Sequence, residues 1–241
     1  MSKDKEEFIQ DLYDQAEEEL KDVYKKKKED RDKLLQQIAM IMLAYTILNG
    51  FMSMTKNEKD KESSKISNDI KKYAKGQIEI QTSVIGKILK STVEQTYDRY
   101  SYNYKLKDVR NIIDKNFEGK HFSKTVWKNE QKTANDLNKL LNQFLDGKIG
   151  VNKIEEVIKN KYGSSSYEAK RLTETELNRC EAEAFKSYCR FVGVKKVIRN
   201  EILDSKTCEI CAGVHGKVYD LEKAPDSIHP CCRGFNDMIL D

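Results

Sequence analysis

Proline is nearly missing: the 241-residue chain has two, Pro225 and Pro230, both close to its C-terminus. A proline inside a helix removes a backbone donor and clashes with the preceding turn. Nothing before residue 225 breaks a helix on that account. Histidine is almost as scarce, with His121, His215 and His229 making up the whole supply. General-base chemistry therefore has few candidates. Neither a His-Glu-x-x-His helix nor a His-x-Glu segment ahead of paired cysteines is present, which removes the usual zinc-protease and zinc-deaminase patterns. A dominant sign of charge is also missing, since 44 basic and 40 acidic side chains leave +4. That balance does not announce nucleic-acid binding, although local basic patches remain open. Long apolar runs are absent too. Residues 34–55 carry no charge, but Gln36, Gln37, Asn49 and Gly50 leave an apolar centre of only residues 38–48. A bilayer span needs about 20 predominantly apolar residues, so no membrane is expected. The stretch reads as a core or partner-facing helix, with Met40, Met42, Met52 and Met54 suited to adaptable packing.

Charged residues are abundant, at 35%, beside 38% hydrophobic residues and a mean hydropathy of −0.75. That mix suits an elongated, mainly α protein with a modest core. Ile9, Leu12, Ala16, Leu20 and Val23 recur at helical steps, predicting an amphipathic helix over residues 4–33. The lysine run 25–28 within it reads as a solvated face. Residues 56–75, rich in lysine, serine and asparagine, read as a linker or weakly helical connection. A second helical pattern covers residues 84–114, and its tyrosines at 97, 100, 102 and 104 read as packing rather than base-stacking residues. Trp127, Ala134, Leu137, Leu141 and Phe144 predict a buried helical stripe. A capped helix start at Asn152 and Glu155 is expected to end at Tyr162-Gly163, before a serine run. Cys180 and Cys189 lie nine residues apart, about half a turn out of phase on a helix, and read as packing residues. Residues 194–201 predict a strand. With no secretory leader apparent at the start, the six cysteines are expected in a reducing compartment, free or on metal.

The most informative stretch is 208–232. Cys208-Glu-Ile-Cys211 is followed, seventeen residues later, by His229-Pro-Cys231-Cys232-Arg233. Two short ligand pairs joined by a loop suit a tetrahedral metal ion. A two-residue spacer lets both side chains of a tight turn converge on one ion. Three thiolates and one imidazole fill every position, so the expected cofactor is structural Zn²⁺ on Cys208, Cys211, His229 and Cys232. The alternatives are ordinary buried thiols or a disulfide. Adjacent Cys231 and Cys232 cannot easily both reach one ion; Cys232 is taken as the ligand. Gly213, Gly216 and Pro225-Asp226 mark turns, Lys217-Val218-Tyr219 is β-prone, and His215 reads as a solvated turn residue.

These residues resemble the C-terminal domain of phage minor head proteins, the head-morphogenesis family typified by the F protein of phage Mu. The matching positions are Thr207, Cys208, Cys211, Gly216, Lys217, Val218, His229, Pro230, Cys232 and Arg233. Many members carry a further cysteine after that arginine, where this chain has Gly234. The resemblance extends upstream through residues 121–127 and through Arg171-Leu172-Thr173-Glu174-Thr175-Glu176-Leu177-Asn178-Arg179. Glu174 stands where the family usually has arginine. It covers about residues 120–236, close to half of the chain.

Two domains are expected, the second of them from the resemblance. Residues 1–115 would form a helical, partner-binding N-terminal arm. Residues 116–241 would form the Mu F-like minor head domain, with a β-containing, zinc-ribbon-like module at about 200–236. It implies a non-enzymatic head-morphogenesis protein of a tailed bacteriophage, present in the host cytoplasm during assembly and then in the virion, inside the capsid or at the portal vertex. Its expected partners are portal, capsid or scaffold protein, with weak contact to packaged DNA through Lys195, Lys196 and Arg199. The competing readings are a zinc-ribbon nucleic-acid-binding protein and an ADP-ribosyltransferase-like enzyme using Glu174 and Glu176. The first would need a denser basic surface. The second lacks the accompanying strands, and the simple reading of Glu176 is a pair with Arg179.

Overall fold

A computed structural model describes residues 3–115, 120–205 and 207–239 of the chain. Helix dominates: α1 (Lys3–Ala44), α2 (Lys56–Arg99), α3 (Leu106–Asp114), α4 (Phe122–Leu145) and α5 (Ile154–Val192). A two-stranded hairpin, β1 (Ile47–Leu48) and β2 (Phe51–Met52), follows α1. The C-terminal part holds β3 (Lys196–Asn200), α6 (Glu209–Ala212), β4 (Val218–Asp220) and β5 (Phe235–Met238). None of these helices is long and apolar enough to cross a membrane.

The chain forms two compact units, each assembled from segments distant in sequence. One combines Met1–Leu20, Ser83–Phe122 and Lys170–Asp241; the other combines Lys21–Thr82 and Ser123–Ala169. The expected boundary at 115/116 falls beside residues 116–119, which lie outside the described residues, and both units draw on sequence from either side of it. Residues 3–115 are thus not a separate arm.

In the second unit, Leu34, Ile38 and Ile41 of α1 pack in one core with Ile66 and Ile70 of α2, Leu137, Leu141 and Phe144 of α4, and Ile158 of α5. The expected linker at 56–75 is helix instead. Thr55 and Glu58 form a reciprocal N-terminal cap, with the Thr55 amide donating to Glu58 Oε2 at 2.7 Å and the Glu58 amide reaching Thr55 Oγ1 at 3.5 Å. The Asn49-Gly50 pair does not simply end a helix. Both residues have positive φ, 51° and 81°, and they turn the β1–β2 hairpin. Helix α5 also continues through Gly163, where a stop was expected. Ser164 and Ser166 donate to the carbonyls of Asn160 and Tyr162, each at 3.0 Å, and no proline forces an end. Two further expectations fail here. Trp127 is 57% exposed, and the buried positions at the start of α4 are Phe122 and Val126 instead. Lys27, within the supposedly solvated lysine run, is buried and bonds Glu130 at 2.7 Å and Ser165 at 2.6 Å.

In the first unit, Ile9, Leu12, Ala16 and Leu20 of α1 are buried, as are Ile85, Leu89, Val93 and Tyr97 of α2. Tyr97 stacks on Tyr104 with ring centroids 5.0 Å apart, and Tyr100 on Tyr188 at 4.6 Å. The tyrosines are engaged in packing. Strand β3 runs between β4 and β5 in an antiparallel sheet. Val197 of β3 packs with Phe185, Cys189, Leu221 and Ala224.

Candidate metal centre

The first ligand pair is set by a helix start. Cys208 precedes α6 in extended conformation, and its sulfur accepts the Cys211 amide at 3.5 Å. The first turn of α6 then brings the two sulfurs together, which is what a two-residue spacer achieves. That hydrogen bond holds the Cys208 thiol below the ordinary range, whereas burial pushes Cys211 up. On the opposite turn, the His229 ring contacts the Pro230 carbonyl oxygen through Nδ1 at 2.8 Å. A carbonyl only accepts, so Nδ1 carries the proton and Nε2 is left with its lone pair. Nε2 lies 3.2 Å from Cys208 Sγ and 3.0 Å from Cys211 Sγ. The imidazole and the two sulfurs thus converge on one point.

Cys208, Cys211 and His229 are therefore a cluster that could hold a metal ion. A second set, Glu201, Cys211 and Cys232, shares Cys211 with it; within each set the donor atoms lie within 4.8 Å of one another. Cys211 and Cys232 are 3.7 Å apart, sulfur to sulfur. With metal–sulfur bonds of about 2.3 Å, the edge of a tetrahedron is about 3.8 Å. The Cys211–Cys232 separation thus suits two sulfurs on one ion, whereas Cys232 is grouped with Cys211 and Glu201 and not with Cys208 and His229.

The adjacent cysteines separate cleanly. Cys231 has a positive φ of 62°, and this left-handed residue lets the two side chains diverge. Cys232 turns to Cys211. Cys231 lies beside Glu174, its thiol pushed up to about 11 chiefly by burial. The same reversal needs support, and α5 and α1 supply it. The Cys231 amide donates to Thr175 Oγ1 at 3.3 Å, Asn178 Nδ2 donates to the Gly234 carbonyl at 2.8 Å, and Tyr13 donates from its hydroxyl to the Cys232 carbonyl at 3.0 Å. Thus the Thr175-Glu176-Leu177-Asn178 segment holds the backbone of the second ligand pair.

Several residues missed or misread from sequence complete the surroundings. Arg199, expected on a DNA-facing strand, is fully buried. Its guanidinium donates to Glu201 Oε1 at 2.7 Å, to Cys232 Sγ at 3.2 Å, and to the carbonyls of Pro225 and Asp226 at 3.1 and 3.2 Å. It cannot also contact a phosphate; Lys195 and Lys196 are exposed. His215 is not merely solvated, because its Nδ1 accepts the Glu201 amide at 3.0 Å. A signal for Arg199 was present: it shares a strand face with Val197 by the two-residue period.

The glutamates on α5 have other occupations. Buried Glu176 accepts from Arg179 Nε at 2.8 Å, and Arg179 also donates to the Ile112 carbonyl at 2.8 Å. Glu174 lies 3.7 Å from Lys170. Cys180 and Cys189 are fully buried.

No protein-family model, no curated protein and no solved structure matches the chain.

Proposed function

We propose that this chain is a zinc-stapled minor head protein of a tailed bacteriophage, acting by assembly rather than catalysis. The observation that carries the reading is the meeting of two sequence blocks about fifty residues apart. The Thr175–Asn178 segment and the His229–Arg233 segment are blocks on which the family resemblance rests; they are bonded through Thr175–Cys231, and Asn178 also bonds Gly234, the position just after the second block where the chain departs from the family. A chance likeness in either block would not require them to touch.

Zinc is the ion we assign. It would be held by Cys208, Cys211, His229 and Cys232, the last through its contact with Cys211. Three thiolates and an imidazole leave no open position, and a bound zinc supplies folding free energy to a small module with little core of its own. Purified protein should contain about one zinc per chain.

Docking is assigned to the second unit. Met40, Leu43, Leu48 and Phe51 are exposed near the β1–β2 hairpin, an apolar surface of the kind that marks protein contact. Portal, capsid or scaffold protein is the partner class, and the mature location is the virion. Co-expression with portal and capsid proteins, followed by sedimentation, tests this. The chain should travel with procapsids and be missing from particles assembled without portal. Closed, portal-containing procapsids that leave the chain wholly in the unassembled fraction would refute the assignment.

A further inference from the structure

Two donor sets overlap at Cys211, and the second of them adds two groups, either of which could complete an ion held by Cys208, Cys211 and His229. One choice is the Cys232 sulfur and the other is the Glu201 carboxylate. Both are buried, at 1% and 4% exposure. Zinc accepts either thiolate or carboxylate, so proximity does not decide between them. Arg199 touches both. Its Nε donates to Glu201 Oε1 at 2.7 Å, its Nη2 to Cys232 Sγ at 3.2 Å, and its Nη1 to the Pro225 and Asp226 carbonyls.

We propose that Arg199 is the positioning residue of this metal centre, holding the Glu201 carboxylate away from the ion and the Cys232 sulfur toward it. This rests on the reading of the cysteines as a zinc site. A carboxylate engaged by a guanidinium in a charge-assisted bond is a poorer metal ligand than a free one. A thiolate receiving one hydrogen bond keeps lone pairs for the metal while part of its charge is offset. Arg199 itself is fixed from the backbone by the two carbonyls, so its position does not depend on the ligands alone.

Gly234 belongs to the same device. A Cβ built there would lie 2.1 Å from Glu201 Oε1 and 2.2 Å from Arg199 Nη2. Both neighbours are buried and bonded, so they cannot step aside without breaking the pair. The missing side chain at 234 is the space in which the Arg199–Glu201 pair sits. Gly234→Ala should therefore act on the metal through Arg199 and Glu201, although residue 234 offers no ligand.

The test uses the full chain loaded with Co²⁺ or Zn²⁺. Co²⁺ reports thiolate ligation through its sulfur-to-metal charge-transfer absorption. The wild-type spectrum should show three thiolates. Arg199→Met should free Glu201 to replace Cys232, lowering that absorption by about a third and weakening Zn²⁺ binding by about 10- to 100-fold, the usual range for an outer-shell partner. Arg199→Met with Glu201→Gln should restore the three-thiolate spectrum, because the competing carboxylate is gone. Should Arg199→Met lose its helical signal, Gly234→Ala gives the same reading, since it disturbs the pair while both charged side chains are still present. A wild-type spectrum without thiolate ligation overturns the metal centre and this proposal together. Three-thiolate spectra with unchanged Zn²⁺ affinity in folded Arg199→Met or Gly234→Ala overturn the role of Arg199 alone.

Discussion

Asn178→Ala isolates the hold of helix α5 on the second ligand pair. The side chain is buried, and its amide donates to the Gly234 carbonyl at 2.8 Å and to the Tyr13 hydroxyl at 3.4 Å. The first bond has ordinary geometry and the second is long enough to add little. Removing the donor leaves a buried carbonyl unsatisfied, which costs about 1–3 kcal/mol. Tyr13 still reaches the Cys232 carbonyl at 3.0 Å, so the loop is loosened at one point rather than released. We expect a loss of about 2 kcal/mol in urea unfolding of the zinc-loaded protein, the middle of the range for an orphaned buried acceptor. If the loosening falls on the ligand geometry, the same free energy appears as a zinc affinity weaker by about thirtyfold, since 1.4 kcal/mol is tenfold. Competition with a chromophoric chelator reads that affinity directly. Glu155→Gln, at an exposed position on the same helix, is the control and should change neither measurement. Unfolding within about 0.5 kcal/mol of wild type, the range of an inconsequential surface change, with unchanged zinc affinity would refute the argument.

Other substitutions test the remaining contacts. Cys232→Ser should lose zinc, measured as metal per chain after gel filtration, whereas Cys231→Ser should retain it. Ile41→Asp should destabilise the second unit by more than about 3 kcal/mol, because it places a carboxylate in an apolar core. Leu48→Asp, at an exposed position, should leave urea unfolding unchanged and weaken procapsid incorporation. Lys27→Met should cost about 3–5 kcal/mol by stranding buried Glu130, while Lys27→Met with Glu130→Gln should recover most of that loss; the difference is read by a double-mutant cycle in urea. Cys180 and Cys189 are pushed up to about 12 by burial. A raised thiol favours the folded state below its unfolded value, so this contribution should fade as pH rises from about 9 to about 12. At pH 8, iodoacetamide should modify these two cysteines only after unfolding.

Legibility in the sequence followed the range of each interaction. The seam from Ile9 to Val23 was readable because its period alone defines a face. The strand over 194–201 was readable from its flanking glycine and its apolar content. The Thr55–Glu58 cap was also local, but the polar composition of residues 56–75 hid it. Trp127 shows the opposite limit. A seven-residue step to Ala134 keeps it within about 20° of the apolar phase, yet phase says nothing about whether another element covers that position. Lys27 and Glu130 escaped for the same reason, since each is a charge whose burial depends on a partner about a hundred residues away.

The candidate centre combined both kinds of information. Spacing within 208–211 and 229–232 was enough to nominate sulfur and imidazole donors, because the turn that joins each pair is local. Choosing between Cys231 and Cys232 needed the left-handed φ of Cys231, and that conformation is held from outside by Thr175, Asn178 and Tyr13. Arg199 is the clearest case. Beside Lys195 and Lys196 it looks like one of three basic residues on a strand. On the alternating face it follows Val197 and precedes Glu201, an arginine and a carboxylate both directed inward. Two opposite charges on an inward face need a reason to be desolvated, because hydrophobic replacement at such places is often neutral or stabilising. The sulfur of Cys232, lying 3.2 Å from the Arg199 guanidinium, provides that reason. On the proposed reading the charge pair belongs to the surroundings of the metal centre, and basic residues on such a strand should be assigned to nucleic acid only after the face they occupy is known.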